Sequence, residues 1–233
     1  MQRIVIMFFL AFVAIVFSSC KDNYHQNEKE LLFFDFHSRK IPIDSVNNLG
    51  EMLEYFDKIY CREGEQKWPV LYLDIEKQAF VSEETGRNLL KIGVEPSPCP
   101  GLTLEYDFKC LLEIVKDGNN IELEGERIEM DSISNYVRKH YNNIEKDTLF
   151  PLSAEQNGIW ICALKKEKLS DLAPIVTVVV KSYLQSVNEV SKQVYKKELK
   201  DINKSQLLEL KKRMPFRIAF KYTDEVVPVL QVG

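Results

Sequence analysis

Residues 111–133 read LLEIVKDGNNIELEGERIEMDSI, and the turns inside this stretch decide the fold class. Leu111 to Val115 is apolar and β-branched, as a strand requires. Asp117-Gly118-Asn119 follows, a hairpin turn in which Asp and Asn tolerate a left-handed backbone and Gly adopts it freely. Ile121 to Leu123 pairs back, and Gly125 makes a second tight turn before Ile128. Asp131 or Ser132 can then cap a helix by accepting from its first free N–H groups. Ile133, Tyr136, Val137 and Tyr141 share one side of that helix. Hairpin strands that run into a helix give an α+β class, with a mixed or antiparallel sheet and helices on one face.

Upstream, Leu31 to Phe36 reads as a strand, rich in Phe and Leu. Asp44 or Ser45 can cap a helix whose face carries Val46, Leu49, Met52, Leu53, Phe56 and Ile59. Trp68-Pro69 closes the loop after it, and Val70 to Ile75 is a buried strand. Ser82 can open a short helix through Ile92. Residues 94–101, VEPSPCPG, hold three prolines and a glycine and mark the main boundary. The expected division is an N-terminal half over 31–93 and a C-terminal half over 102–233.

Downstream, Leu102 to Phe108 and Ile159 to Leu164 read as strands. Ile175 to Val180, introduced by Pro174, is the most strand-like run in the chain. Residues 183–213 are helical in character, with Leu184, Val187, Val190, Val194 and Ile202 on an apolar stripe and Ser205 as a cap for the last piece. Lys211-Lys212-Arg213 suits the negative end of the helix dipole, and Pro215 stops the helix. Phe216 to Tyr222 is the final clear strand. The tail beyond it reads as an edge strand interrupted by Pro228.

Two segments read alike. Ile41-Pro42-Ile43-Asp44-Ser45-Val46 matches Ile128-Glu129-Met130-Asp131-Ser132-Ile133 in its Asp-Ser cap. Each precedes a Val-rich run, VLYLDI or VTVVVK, so two strand–helix–strand halves of ferredoxin-like or ExbD-like form are expected. The stretch Asn120 to Ile128, NIELEGERI, is similar to the strand, Gly turn and strand that open the periplasmic domain of the ExbD/TolR family. The resemblance implies a helix at 132–142, a strand at 175–181, a second helix at 186–213 and a last strand at 216–222. It carries over no functional residue. That family has a transmembrane helix with a proton-linked Asp, which this chain lacks, and Lys181-Ser182 stand where the family's strand usually ends in Ala-Asp.

The first residues read MQRIVIMFFLAFVAIVFSSC. One cation, Arg3, precedes an unbroken apolar run of 14 residues, Ile4 to Phe17. A membrane-spanning helix needs about 20, so the run suits the core of a secretory signal, with Ser18 and Ser19 before the cut. Phe-Ser-Ser-Cys resembles the lipobox of bacterial lipoproteins, whose cysteine is acylated. The family usually prefers Leu where Phe17 stands. The resemblance implies a signal peptide over 1–19, lipidation at Cys20, and a polar lipidated tether over 20–30. Two or more acyl chains anchor stably. Lys21-Asp22 resembles the sorting signals of such lipoproteins, and the outer membrane is expected, facing the periplasm or the cell surface.

Apolar content of 45% and charge of 28% fit a globular domain and argue against disorder. A net charge of −4 argues against nucleic acid as a partner, which would need a basic face. Past Cys20 come Cys61, Cys99, Cys110 and Cys162, an even set that allows two disulfides in three pairings or four buried thiols. No CxxC occurs.

Chemistry-bearing motifs are sparse. Among the three histidines, His37 and Asp35 share a strand face, His140 lies near a helix end, and His25 lies in the tether. Glu122, Glu124, Glu126 and Glu129 crowd one turn, either as a charged strand edge or as the acid–base pair of a hydrolase. Lysines over 192–204 and 211–213 form a solvated helix face or a contact for anionic headgroups. Trp68 and Trp160 either build core or stack on sugars. No catalytic residue, metal ligand or cofactor site is expected. The expected function is a membrane-anchored envelope lipoprotein that binds a protein or glycan partner without catalysis, as an accessory of an envelope transport or energy-transducing complex. The alternative is an envelope hydrolase built on the clustered glutamates.

Overall fold

Two mixed sheets and five helices make up the computed structural model, which describes residues 24–33, 38–62, 68–82, 89–95, 110–143, 146–151 and 153–223. The class is α+β. Helix α1 (Gln26–Leu31) leads into β1 (Ser38–Lys40), α2 (Leu49–Phe56), β2 (Trp68–Asp74), β3 (Ala79–Val81) and β4 (Leu89–Gly93). Strand β2 is the centre of this four-stranded sheet. β1 pairs parallel with its first half and β3 antiparallel with its second, while β4 runs antiparallel along the other edge.

The second sheet opens with β5 (Leu111–Asp117), β6 (Asn120–Leu123) and β7 (Glu126–Ile128), an antiparallel meander. Its turns fall where the glycines predict. Glu124 and Gly125 have φ of 53° and 78°, the left-handed pair that a two-residue hairpin needs. Helix α3 (Ile133–Tyr141) crosses to β8 (Gly158–Ala163), parallel to β5. Helices α4 (Leu169–Tyr195) and α5 (Lys204–Arg213) cross to β9 (Ile218–Tyr222), parallel to β8. The order is β7-β6-β5-β8-β9.

Register sorts the side chains. Leu112, Ile159 and Ile218 form one row, and Leu123, Ile114, Ile161 and Phe220 the next. Both rows enter one buried cluster with Ile133, Val137 and Tyr141 of α3 and the length of α4. That cluster also takes in Leu49, Met52 and Phe56 of α2 and Leu71 and Leu73 of β2, so one core spans both sheets. The sheets meet edge to edge, where the Glu95 amide donates to the Ile218 carbonyl at 2.7 Å and Glu95 pairs with Ala219.

Several expected elements differ. Residues 175–180 are helix inside α4, not a strand. The run is β-branched, yet buried positions Leu172, Val176, Val179, Tyr183, Val187 and Val190 recur at steps of three and four straight through it. Burying that stripe on the sheet outweighs local β propensity. Pro174 lies in the second turn, where it forfeits one backward bond. The strand between the two helices is β8 instead. The helix expected across 183–213 is broken: Lys196 takes φ 56° and ends α4, and a 3-10 turn over Leu199–Asp201 precedes α5. Leu31 ends a helix rather than starting a strand. Gln26 to Glu30, read as tether, is α1, capped by the His25 side chain. Ile92 lies in β4, not in a helix. Trp68 and Pro69 belong to β2 rather than to the preceding loop.

Asp44-Ser45 and Asp131-Ser132 both close 3-10 turns ahead of their helices. The cap of α2 is Asn48, which accepts from the Glu51 amide at 2.9 Å. The two similar segments part company in pairing: β1 lies beside β2, whereas β7 and β8 stand three places apart. Residues 102–108 and the tail from 224 lie outside the described residues. Among the described residues no helix is long and apolar enough to cross a membrane.

Candidate functional site

The five-stranded sheet buries one face under α3 and α4. Its other face follows from the same register, because side chains alternate along a strand. One row there runs Glu113, Trp160, Ala219, Glu95. A second runs Arg127, Glu122, Val115, Cys162, Lys221. The Lys221 ammonium lies 4.3 Å from the Trp160 ring centre, within cation–π range.

The Trp160 row ends at a cleft of about 310 Å³ where the two sheets join. Phe33, Trp68 and Phe216 supply aromatic surface, and Glu95 and Arg217 supply one charge of each sign. Each comes from a different reason of fold. Trp68 opens β2, Glu95 continues β4 into its bridge with β9, and Arg217 and Phe216 lead into β9. Phe33 is brought in because the Gly93 amide donates to the Leu32 carbonyl at 3.0 Å. The Lys91 ammonium lies 3.9 Å over the Phe33 ring. Aromatic walls with a carboxylate and a guanidinium can stack a planar or ring-shaped group and orient it by charge.

The other sequence candidates are dispersed. Glu122 stands opposite Arg127 on neighbouring strands, Glu124 occupies the tight turn, and Glu126 is exposed on β7. His25 caps α1. His140 is buried in α3, with Nε2 at 3.1 Å from the Gly158 carbonyl, and its own carbonyl accepts from the Asn157 side-chain amide Nδ2. Burial lowers its pKa to about 4, so the imidazole is neutral at pH 7 and its Nε2–H is the donor. It is a structural group. His37, Asp35, Cys20 and Cys99 lie outside the described residues. Among the described residues no three His, Cys, Asp or Glu are grouped to hold a metal.

Cys61 is disulfide-bonded, while Cys110 and Cys162 are thiols. Burial, and then the neighbouring Glu113 carboxylate, push the Cys162 thiol far above its ordinary range, which keeps it protonated at pH 7. The lysines predicted as a helix face are spread over the end of α4, the 3-10 turn and α5.

Sequence reasoning flagged Trp68 but missed Phe33, Glu95 and Arg217. They lie in three distant segments, and no local spacing links them. No family model matches the chain, and neither a curated protein nor a solved structure matches it.

Proposed function

We propose that the chain is an envelope lipoprotein, held to the membrane by acyl chains on Cys20, whose folded part is a binding or accessory module. The observation that carries this reading is the apolar run that ends directly in Phe17-Ser18-Ser19-Cys20. The disulfide at Cys61 supports it, because such bonds persist outside the reducing cytosol. The aromatic and charged cleft between the sheets supports a docking role for a protein segment or a glycan. An accessory role in an envelope transport or energy-transducing complex rests on the likeness of Asn120 to Ile128 to the opening of the ExbD/TolR periplasmic domain. The outer membrane is the proposed site.

The test is intact mass of the membrane-fraction protein, wild type against Cys20→Ala, with protease shaving of whole cells. A lipid-sized mass gain that the variant loses supports the anchor, and shaving tells surface from periplasm. An unmodified mass with residues 1–19 still attached sinks it.

A further inference from the structure

The chain enters its fold beside the C-terminal end of α4, where α1 packs on the 3-10 turn and α5, and that end is basic. The side-chain amide of Asn27, in the first turn of α1, donates to the carbonyls of Leu199 at 2.8 Å and Ile202 at 3.1 Å. The start of α1 therefore lies against the 3-10 turn Leu199–Asp201. The Lys211 ammonium of α5 donates to the Glu30 carbonyl at 2.8 Å and fixes the other end of α1. Tyr24, the first described residue, is four residues beyond Cys20. Four residues reach at most about 14 Å. An acyl anchor on Cys20 thus holds this end close to the membrane surface.

The charge here is unlike that of the chain as a whole. Residues 192–213 hold eight Lys and Arg against three Asp and Glu, in a chain of net charge −4. Two of those acids are engaged locally. Glu198 pairs with Lys192 at 3.2 Å and Lys200 at 3.0 Å, and Glu209 bonds the Tyr195 hydroxyl. Glu28 and Glu30 against Lys29 on α1 do not cancel the excess. Lys196, Lys197, Lys200 and Lys204 are exposed. So are two large apolar side chains, Val194 at 42% and Leu208 at 51%. Lys204, Leu208 and Lys212 follow one another at four-residue steps along the outward side of α5. Cations interleaved with exposed apolar groups suit the boundary between lipid headgroups and acyl chains.

We propose that this end, from Lys196 through α5, docks on the anionic headgroups of the membrane that carries the anchor. Lys196, Lys197, Lys200 and Lys204 face lipid phosphates, and Leu208 enters the boundary beneath them. The cleft between the sheets is then held in one orientation to the surface rather than swinging on a free tether. The inference takes its tether length from the acyl-anchor reading.

Helix α4 has 27 residues and is thus about 40 Å long. Lys166 and Lys168, before its start, are controls at the far end. The mature protein, made from the full chain, is reconstituted into vesicles of phosphatidylcholine alone or mixed equally with phosphatidylglycerol. Its lysines are acetylated and read by peptide mass, and intact mass is read on the same sample. One cation near an anionic surface gains about five-fold in association. Lys196, Lys197, Lys200 and Lys204 should therefore label about five-fold more slowly on the anionic vesicles than in detergent, with Lys166 and Lys168 unchanged. Salt at about 1 M, where screening shortens to about 3 Å, should restore labelling. Equal labelling at both ends on anionic vesicles overturns the inference while an acyl mass leaves the anchor standing. A missing acyl mass sinks the anchor alone if the footprint persists on the vesicle-bound chain, and both if the chain does not bind.

Discussion

The Gly50 amide donates a 2.8 Å hydrogen bond to the Lys165 carbonyl, and beside it the Leu49 amide donates to Glu167 at 2.9 Å. Helix α2 thus spends its first free N–H groups on the loop between β8 and α4. This contact ties residues from the N-terminal sheet to the crossover of the other sheet. That loop is in turn fixed by the ion pair of Glu167 with Lys116, both with side chains mostly buried.

A Cβ on residue 50 would meet the Lys165 carbonyl oxygen at 3.1 Å. Gly50→Val should therefore separate α2 from the loop. The expected loss is about 1–3 kcal/mol in urea unfolding. A variant as stable as wild type would show that the loop yields without effect.

The Tyr183 hydroxyl donates at 2.7 Å to the Met214 carbonyl, and its ring packs between Tyr141 and Phe216 at 4.9 and 4.8 Å. Tyr183→Phe keeps the ring and orphans the carbonyl, for a loss of about 1–2 kcal/mol. Tyr183→Ala adds a cavity, for about 3–5 kcal/mol. Thermal melts of the two variants should rank in that order, and the reverse ranking would refute the packing described.

Stability should fall with acid because of His140. Its folded pKa is about 4, below the 6.5 of the unfolded chain. Between those values the unfolded state binds the extra proton, so stability is full above pH 6.5 and is lost as pH drops toward 4. The contribution is on the order of 3 kcal/mol. His140→Gln should flatten the slope of unfolding free energy between pH 6.5 and 4.5. An unchanged slope would place the titration elsewhere.

Glu124 holds φ 53° without the freedom of glycine. A non-glycine side chain in that region costs about 1–2 kcal/mol, less for Asn. Glu124→Asn creates the Asn-Gly turn that hairpins prefer. It should raise the melting temperature by a few degrees. A drop would mean that the Glu124 carboxylate makes a stabilising contact of its own.

Peptide mapping without reduction should recover Cys61 joined to Cys99, with Cys110 and Cys162 as thiols. Cys61 is disulfide-bonded, Cys110 and Cys162 are thiols, and the proposed lipid takes Cys20, which leaves Cys99 of the five cysteines. Cys61 joined to Cys20 would contradict the lipidation. Reduction should cost about 2–4 kcal/mol of stability.

Local chemistry was legible in residues 111–141. Turns at Gly118 and Gly125 depend on backbone freedom, which a glycine states in the sequence itself, and the helix after them shows its apolar period. The run 175–180 misled for the same local reason. Its side chains prefer strands, and only the longer period from Leu172 to Val190 reveals the helix. The 3-10 turn at Leu199 was hidden because Lys196 breaks the helix without glycine or proline, leaving no residue type to mark it.

By itself the sequence determined the α+β class, the meander β5-β6-β7, the strands β8 and β9, and the basic character of residues 192–213, since each follows from neighbours within a few positions. Only the tertiary structure decided that the two sheets meet at Glu95 and Ala219. That contact gathers Phe33, Trp68 and Arg217 into one cleft, and the Asn27 side chain lays α1 beside Leu199. These groupings rest on hydrogen bonds and buried rows between segments tens of residues apart, and at Glu95–Ile218 and Asn27–Leu199 more than a hundred. They become favourable only when the whole core closes, so no short stretch of sequence records them.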